Sequence, residues 1–222
     1  MPEQSERLQL TCFSDILCVW AYIAQARLDE AERKHPGVVE TSYQFCSVFG
    51  DTRHKIGQGW ASRGGYEGFG AHVLEVAEQY SHVSVHSKLW RNVRPLSSTP
   101  AHLVLKAVQR AAPDQTAPLI NTLRDRFFGH CEDISLWTVL EDTLISAQID
   151  VGDIKRILHN GQAHADLEAD RRQQQASLVS GSPTILLNDG RQKLYGNVGY
   201  GVIEANITEL LRSPVSGAAS WC

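Results

Sequence analysis

No stretch of this 222-residue chain approaches the ~20 consecutive apolar residues that a helix needs to cross a bilayer. Charge of neither sign dominates. Lys and Arg number 21 against 25 Asp and Glu, a net charge of −4, so composition gives no footing for nucleic acid or an anionic membrane surface. The opening Met1-Pro2-Glu3-Gln4-Ser5-Glu6-Arg7 is polar and lacks the apolar core of a secretory signal, which points to a soluble cytoplasmic protein. Cysteine is sparse. Cys12, Cys18, Cys46, Cys131 and Cys222 show no metal-ligand spacing, and an odd, scattered set is no disulfide framework in a chain this long. Nucleotide signatures are missing too, because Gly57-Gln58-Gly59 lacks a strand–turn–helix context. There is no internal repeat. What is present is ordinary globular composition, 42% hydrophobic and 21% charged, in a length that suits one large domain or a domain with an insertion.

Residues 8–13 alternate and read as a strand. From Cys18 the period becomes helical, with Trp20, Ile23, Ala24, Leu28 and Ala31 on one face and His35-Pro36-Gly37 as the stop. Residues 38–47 are rich in β-branched and aromatic types and read as a second strand, completing the start of a parallel βαβ unit. Five glycines in residues 50–65 suggest a loop. Helical stripes follow: Phe69 to Tyr80, Leu103 to Val108 after a Thr99-Pro100 cap, Leu119 to Phe127, Leu136 to Leu144, Ile154 to Leu158, and a polar helix through residues 170–175. The end returns to strands at 183–188 and 192–195, joined by Asn188-Asp189-Gly190, and a last helix carries Ile203, Ile207, Leu210 and Leu211.

Cys18 follows the first strand and opens the first helix. Free backbone N–H groups and the helix dipole there stabilise a thiolate, so a thiol pKa below the ~8.5 of free cysteine is expected. A buried, inert thiol is the plain alternative. Ser182-Pro183-Thr184 opens a late strand. A trans proline would simply begin it; a cis bond would present the Ser182 backbone to a peptide or to glutathione as an added strand.

Together these segments resemble a family. Phe13-Ser14-Asp15-Ile16-Leu17-Cys18-Val19-Trp20-Ala21-Tyr22-Ile23 is similar to the active-site start of DsbA-like thioredoxin-fold proteins, especially the FrnE-type branch, where Asp and a few apolar residues precede Cys-Pro-Trp-Cys-Tyr. Val179-Ser180-Gly181-Ser182-Pro183-Thr184 resembles the family's Gly-Val-Pro-Thr segment, and Leu194-Tyr195-Gly196-Asn197 its late strand. The likeness covers about residues 8–212. It implies an α/β, thioredoxin-like fold with an all-helical insertion: core from residues 1–49 and 166–212, insertion from 50–165, and a flexible tail over 213–222. It makes Cys18 the nucleophile, Val19 and Trp20 the middle of the motif, Pro183 the cis-proline and Ser182 its substrate- or glutathione-binding neighbour. No metal and no tightly bound cofactor are implied. The implied partners are protein or small-molecule thiols and disulfides, with glutathione as cosubstrate.

Ala21 is the departure, since it stands where the second cysteine would resolve a mixed disulfide. Monothiol exchange at Cys18 is therefore the expected chemistry, cleared by an external thiol. Hydroxychromene carboxylate isomerases and kappa-class glutathione transferases also resemble the chain, with one nucleophilic residue at this position, and that likeness implies glutathione-dependent isomerisation or transfer and a homodimer. Against it, Val198 and Gly199 stand where that branch has charged residues. A third reading is a thioredoxin-fold module that binds partners without turnover.

Other residues carry less. Cys12 and Cys46 are read as two separate buried thiols, and Cys131 beside His130 as a packing or surface residue. Cys222 is read as uninvolved. His82 and His86 have a metal-like spacing, but Val83-Ser84-Val85 favours extended chain and no third ligand is evident. Trp60 and Trp90 either line a groove facing Cys18 or belong to the core. Asp170-Arg171-Arg172 is read as a solvated helix face.

Overall fold

The computed structural model describes residues 7–212. The tail and Cys222 lie outside the described residues. The chain opens with β1 (Leu8–Ser14), α1 (Val19–Lys34) and β2 (Val39–Phe45). Six helices follow: α2 (Gly65–Ala77), α3 (Thr99–Ala111), α4 (Thr116–Arg124), α5 (Trp137–Ser146), α6 (Val151–His159) and α7 (Gln162–Ala176). β3 (Thr184–Leu187), β4 (Gln192–Tyr195) and α8 (Tyr200–Arg212) close the chain. The sheet order is β2-β1-β3-β4. β1 and β2 run parallel from Leu8↔Val39 to Ser14↔Phe45, joined by a crossover through α1 as a parallel pair requires. β3 is antiparallel to both β1 and β4. Mixed sheet and interposed helices make this an α/β fold.

The alternation in β1 explains the layering. Leu8, Leu10 and Cys12 face the main core, while Phe13 joins Val179 and Leu186 on the opposite face. The main cluster is continuous from Leu10 through Ile23 and Trp90 to Leu123 and Leu144, so sheet and helices share one apolar interior. Among the described residues no helix is long and apolar enough to cross a membrane.

Three local readings are corrected. Residues 50–65 are not an open loop: Arg53–Gln58 forms a π-helical turn that buries Ile56, and Ala61–Arg63 a tight 3₁₀ turn. Thr99 is the first residue of α3 rather than its cap, and the preceding Ser98 sends its hydroxyl to Asp15 instead of capping the helix. Asp170 does not belong to a solvated face. It is buried, its carboxylate accepting the Phe45 N–H at 2.8 Å and facing Lys106 Nζ at 2.9 Å.

β2 is an edge strand, and its outward backbone groups are taken up by helical side chains. The Thr41 N–H donates to Glu32 of α1 at 2.7 Å, and the Tyr43 carbonyl accepts from Gln109 of α3 at 2.8 Å. Asp170 of α7 takes the Phe45 N–H.

Candidate functional site

β1 ends at Ser14, and the next four residues turn the chain into α1 with Cys18 as its cap residue. Asp15 holds that turn. One of its carboxylate oxygens accepts the Leu17 N–H at 3.0 Å, and the other accepts the Phe49 N–H at 2.8 Å and the Ser98 hydroxyl at 2.9 Å. Burial pushes the Asp15 carboxyl up to about 6 against these hydrogen bonds. His102 of α3 completes the turn, its Nε2 accepting the Ile16 N–H at 3.1 Å. Burial, with Arg124, Arg171 and Lys106 nearby, pushes His102 down to about 3. The imidazole is therefore neutral, and its 3.8 Å approach to Asp15 is no ion pair.

The turn and the late strand meet at Ser182. Its hydroxyl accepts the Asp15 N–H at 2.9 Å, and its carbonyl accepts the Cys18 thiol at 3.3 Å. The Ser182–Pro183 peptide is cis. The Pro183 carbonyl is held by the Gly196 N–H at 2.9 Å. Cys18, Ser182 and Pro183, far apart in sequence, are thus brought to one place. Val19 and Ala21 are buried beneath it and Trp20 is half-buried. Trp20 stands edge-on to Tyr80, whose hydroxyl accepts from Asn197 Nδ2 at 2.7 Å. Arg27 lies over the Tyr80 ring and also donates to Asn197.

The electrostatics correct one expectation. Cys18 is only 6% exposed, and burial pushes its thiol above the ordinary value. Hydrogen bonds from Ser182 and from the Ala21 and Trp20 amides oppose that rise, and the Asp15 charge adds to it. The helix start does supply donors, but desolvation outweighs them. Cys12, on the core face of β1, is pushed up to about 11 by burial, with Arg124 acting against the rise. Cys46 is pushed further up, again chiefly by burial. Cys12, Cys18, Cys46 and Cys131 all carry free thiols.

Several candidates lie elsewhere. Trp90 is fully buried among Phe49, Phe69 and Phe127 and lines no groove, while Trp60 packs on Phe69 beneath the Arg63 guanidinium. His82 binds the Ile23 carbonyl at 3.0 Å, and His86 Nδ1 accepts the Lys88 N–H at 3.1 Å. Among the described residues no three His, Cys, Asp or Glu side chains gather as a metal set. A cavity of about 680 Å³ lies along the β2 edge between Glu32, Gln109 and Asp170, and neither Cys18 nor Ser182 lines it. Sequence reasoning gave no role to Asp15, His102, Tyr80, Asn197 or Arg124; only Asp15 and Asn197, inside segments that resemble the family, carried any local signal.

Comparison with known proteins places the chain. It belongs to the DSBA-like thioredoxin domain family, which matches residues 9–208. No curated protein matches it in sequence. Three solved structures share its fold. A candidate protein disulfide isomerase from Nitrosomonas europaea is 12% identical, with a TM-score of 0.76 over 93% of this chain and 98% of its own. The cytosolic disulfide reductase DsbM from Pseudomonas aeruginosa, in complex with GSH, is 17% identical, with a TM-score of 0.65 over 93% and 98%. A 2-hydroxychromene-2-carboxylate isomerase is 15% identical, with a TM-score of 0.66 over 95% and 100%.

Proposed function

We infer that the protein performs monothiol thiol–disulfide exchange at Cys18, with glutathione as the external thiol, in a reducing compartment such as the cytoplasm. The observation that carries this reading is the placement of Cys18. Cys18 is the cap residue of α1, its sulfur touches the Ser182 carbonyl at 3.3 Å, and the buried methyl of Ala21 lies where a resolving thiol would stand. The family and the glutathione complex of DsbM support it.

The exchange balances in two steps. The Cys18 thiolate attacks a disulfide; the new S–S bond forms as the old one breaks, and the departing thiolate takes up a proton. A glutathione thiolate then attacks the mixed disulfide, and Cys18 leaves as the thiolate. With Cys18 so little exposed, small disulfides fit better than folded protein substrates. The same shielding keeps glutathione-dependent isomerisation as the second reading, since a lone nucleophile in a tight site serves a small substrate equally.

The test is intact mass with thiol alkylation after exposure to glutathione disulfide. The expected product is one glutathione on Cys18, released by added glutathione. In Ala21→Cys, two thiols should instead be lost without gain of glutathione, because positions three apart on a first helical turn lie within disulfide reach. A parent that is glutathionylated only at Cys131, with Cys18 untouched, overturns the reading.

A further inference from the structure

Arg124, at the end of α4, is 1% exposed, which makes it one of the largest fully buried side chains. Its partners are all neutral. Nη1 donates to Gln25 Oε1 at 2.6 Å, Nη2 donates to Ser14 Oγ at 3.2 Å, and Nε has no partner. Gln25 turns its own amide to Asp29 at 2.8 Å and to the Tyr43 hydroxyl at 2.8 Å, so even the nearest carboxylate is one side chain removed. A guanidinium that has left water without a carboxylate is costly, by several kcal/mol for the ion. Structural need alone does not explain it, since an apolar side chain of similar length would fill the space at lower cost.

The groups around it show what the charge faces. Ser14, which receives Nη2, ends the strand that leads into Cys18. Cys12 lies on the same face of β1, and Cys12, Tyr43, Cys18 and Asp29 are the groups whose negative forms favour the Arg124 charge. From α3, His102 is neutral and Lys106 is committed to Asp170. Around Cys18 itself Asp15, when ionised, opposes a thiolate, and Cys46 is a neutral thiol. At Cys12 Arg124 comes directly after burial, whereas the leading influences on Cys18 are burial, Ser182, Ala21, Asp15 and Trp20. Nη1 on Gln25 of α1 and Nη2 on Ser14 of β1 set the guanidinium between the two elements that flank Cys18.

We propose that Arg124 is a positioning residue that supplies an internal counter-charge for the negative charge developing on the Cys18 sulfur. This rests on the exchange chemistry assigned to Cys18 and deepens it. Among the described residues no exposed cation touches the thiol; the positive potential comes from a group that neither substrate nor solvent reaches.

The test is the pH dependence of iodoacetamide alkylation at Cys18, mapped by peptide mass spectrometry, in the parent, Arg124→Met and Arg124→Lys. The Met variant should raise the Cys18 midpoint by about one pH unit, which slows alkylation at pH 7 about tenfold; the Lys variant should restore most of the parent profile. Should Met fail to fold, Arg124→Gln keeps a donor for Gln25 while removing the charge, and it should show the same rise. An unchanged midpoint in a folded, charge-free variant overturns the proposal, as does a shift confined to Cys12. Alkylation needs no disulfide, so it is read independently of the glutathionylation assay. A parent that fails that assay but shows the Arg124 dependence loses the exchange function and keeps the counter-charge.

Discussion

Two buried cations bind the helices of the middle of the chain to the sheet, and the fold treats them in opposite ways. Lys106 on α3 meets Asp170 of α7 at 2.9 Å, and the second Asp170 oxygen anchors the end of β2. Arg124 on α4 is buried more deeply, yet it reaches only a serine, a glutamine and empty contact at Nε. Both have left water, but only Lys106 is offset by a carboxylate. The lesson is positional. Far from the thiol, a buried charge is neutralised and serves docking alone. Arg124 touches no carboxylate: Asp29 is reached only through Gln25, and the sulfurs of Cys12 and Cys18 favour its charge only when they ionise.

The largest effect that sharpens this contrast is expected at the paired cation. Asp170→Asn strands Lys106 and weakens the anchor on Phe45, so it should cost about 3–5 kcal/mol by denaturant unfolding. The Cys18 alkylation profile should stay where it is. A shift matching that of Arg124→Met would erase the distinction between the two cations.

Next comes His102, which both cations help to keep neutral. Its folded-state pKa lies near 3, below the ~6.5 of an unfolded histidine. As pH falls below about 6.5 the unfolded chain takes up a proton that the folded chain refuses, so stability is lost on acidification. Asp15 works the other way: its folded pKa near 6 exceeds the ordinary 3.8, so its burial penalty is relieved as pH falls through that window. Comparing the parent with His102→Gln cancels the Asp15 contribution. Between pH 6.5 and pH 5 the parent should lose about 1.6 kcal/mol more than the variant, since the unfolded histidine is half-protonated at pH 6.5 and the slope approaches ~1.36 kcal/mol per pH unit only below it. Equal slopes would show that His102 is protonated in the folded protein.

The smallest effect lies away from both cations. Asp150 caps α6, accepting from the Gly152 and Asp153 amides at 2.7 and 3.2 Å. Asp150→Ala should cost about 1 kcal/mol by thermal unfolding, with no change at Cys18. Altered thiol reactivity in that variant would mean that any destabilisation reaches the site, and the contrast above would lose its specificity.

The strands and most helices were legible because their burial periods are local. β1, α1, β4 and the stripe of α3 need nothing beyond neighbouring residues. The motif around Cys18 was legible for the same reason, as was the Ser182-Pro183 segment, each being contiguous in sequence. Arg124 was not, because its partners lie 99 and 110 residues away and its own helix gives no hint of which face is dry. Asp170 misled for the converse reason: in a helix as polar as α7, one buried carboxylate looks like its solvated neighbours until Lys106 and Phe45 are placed beside it. The thiol pKa was misjudged because a helix start can be read from sequence, while depth of burial cannot.

The side chains that close the β2 edge carry a consequence for biosynthesis. Glu32, Gln109 and Asp170 occupy the outward backbone groups of a strand that otherwise offers a template to any extended chain. Asp170 lies 125 residues after the Phe45 it seals. At ~5–20 residues per second, a ribosome takes roughly 6–25 s to deliver that last residue. For that interval the emerging strand is open to neighbouring nascent chains. Crowded translation, rather than the finished protein, is where this sheet is exposed to intermolecular pairing.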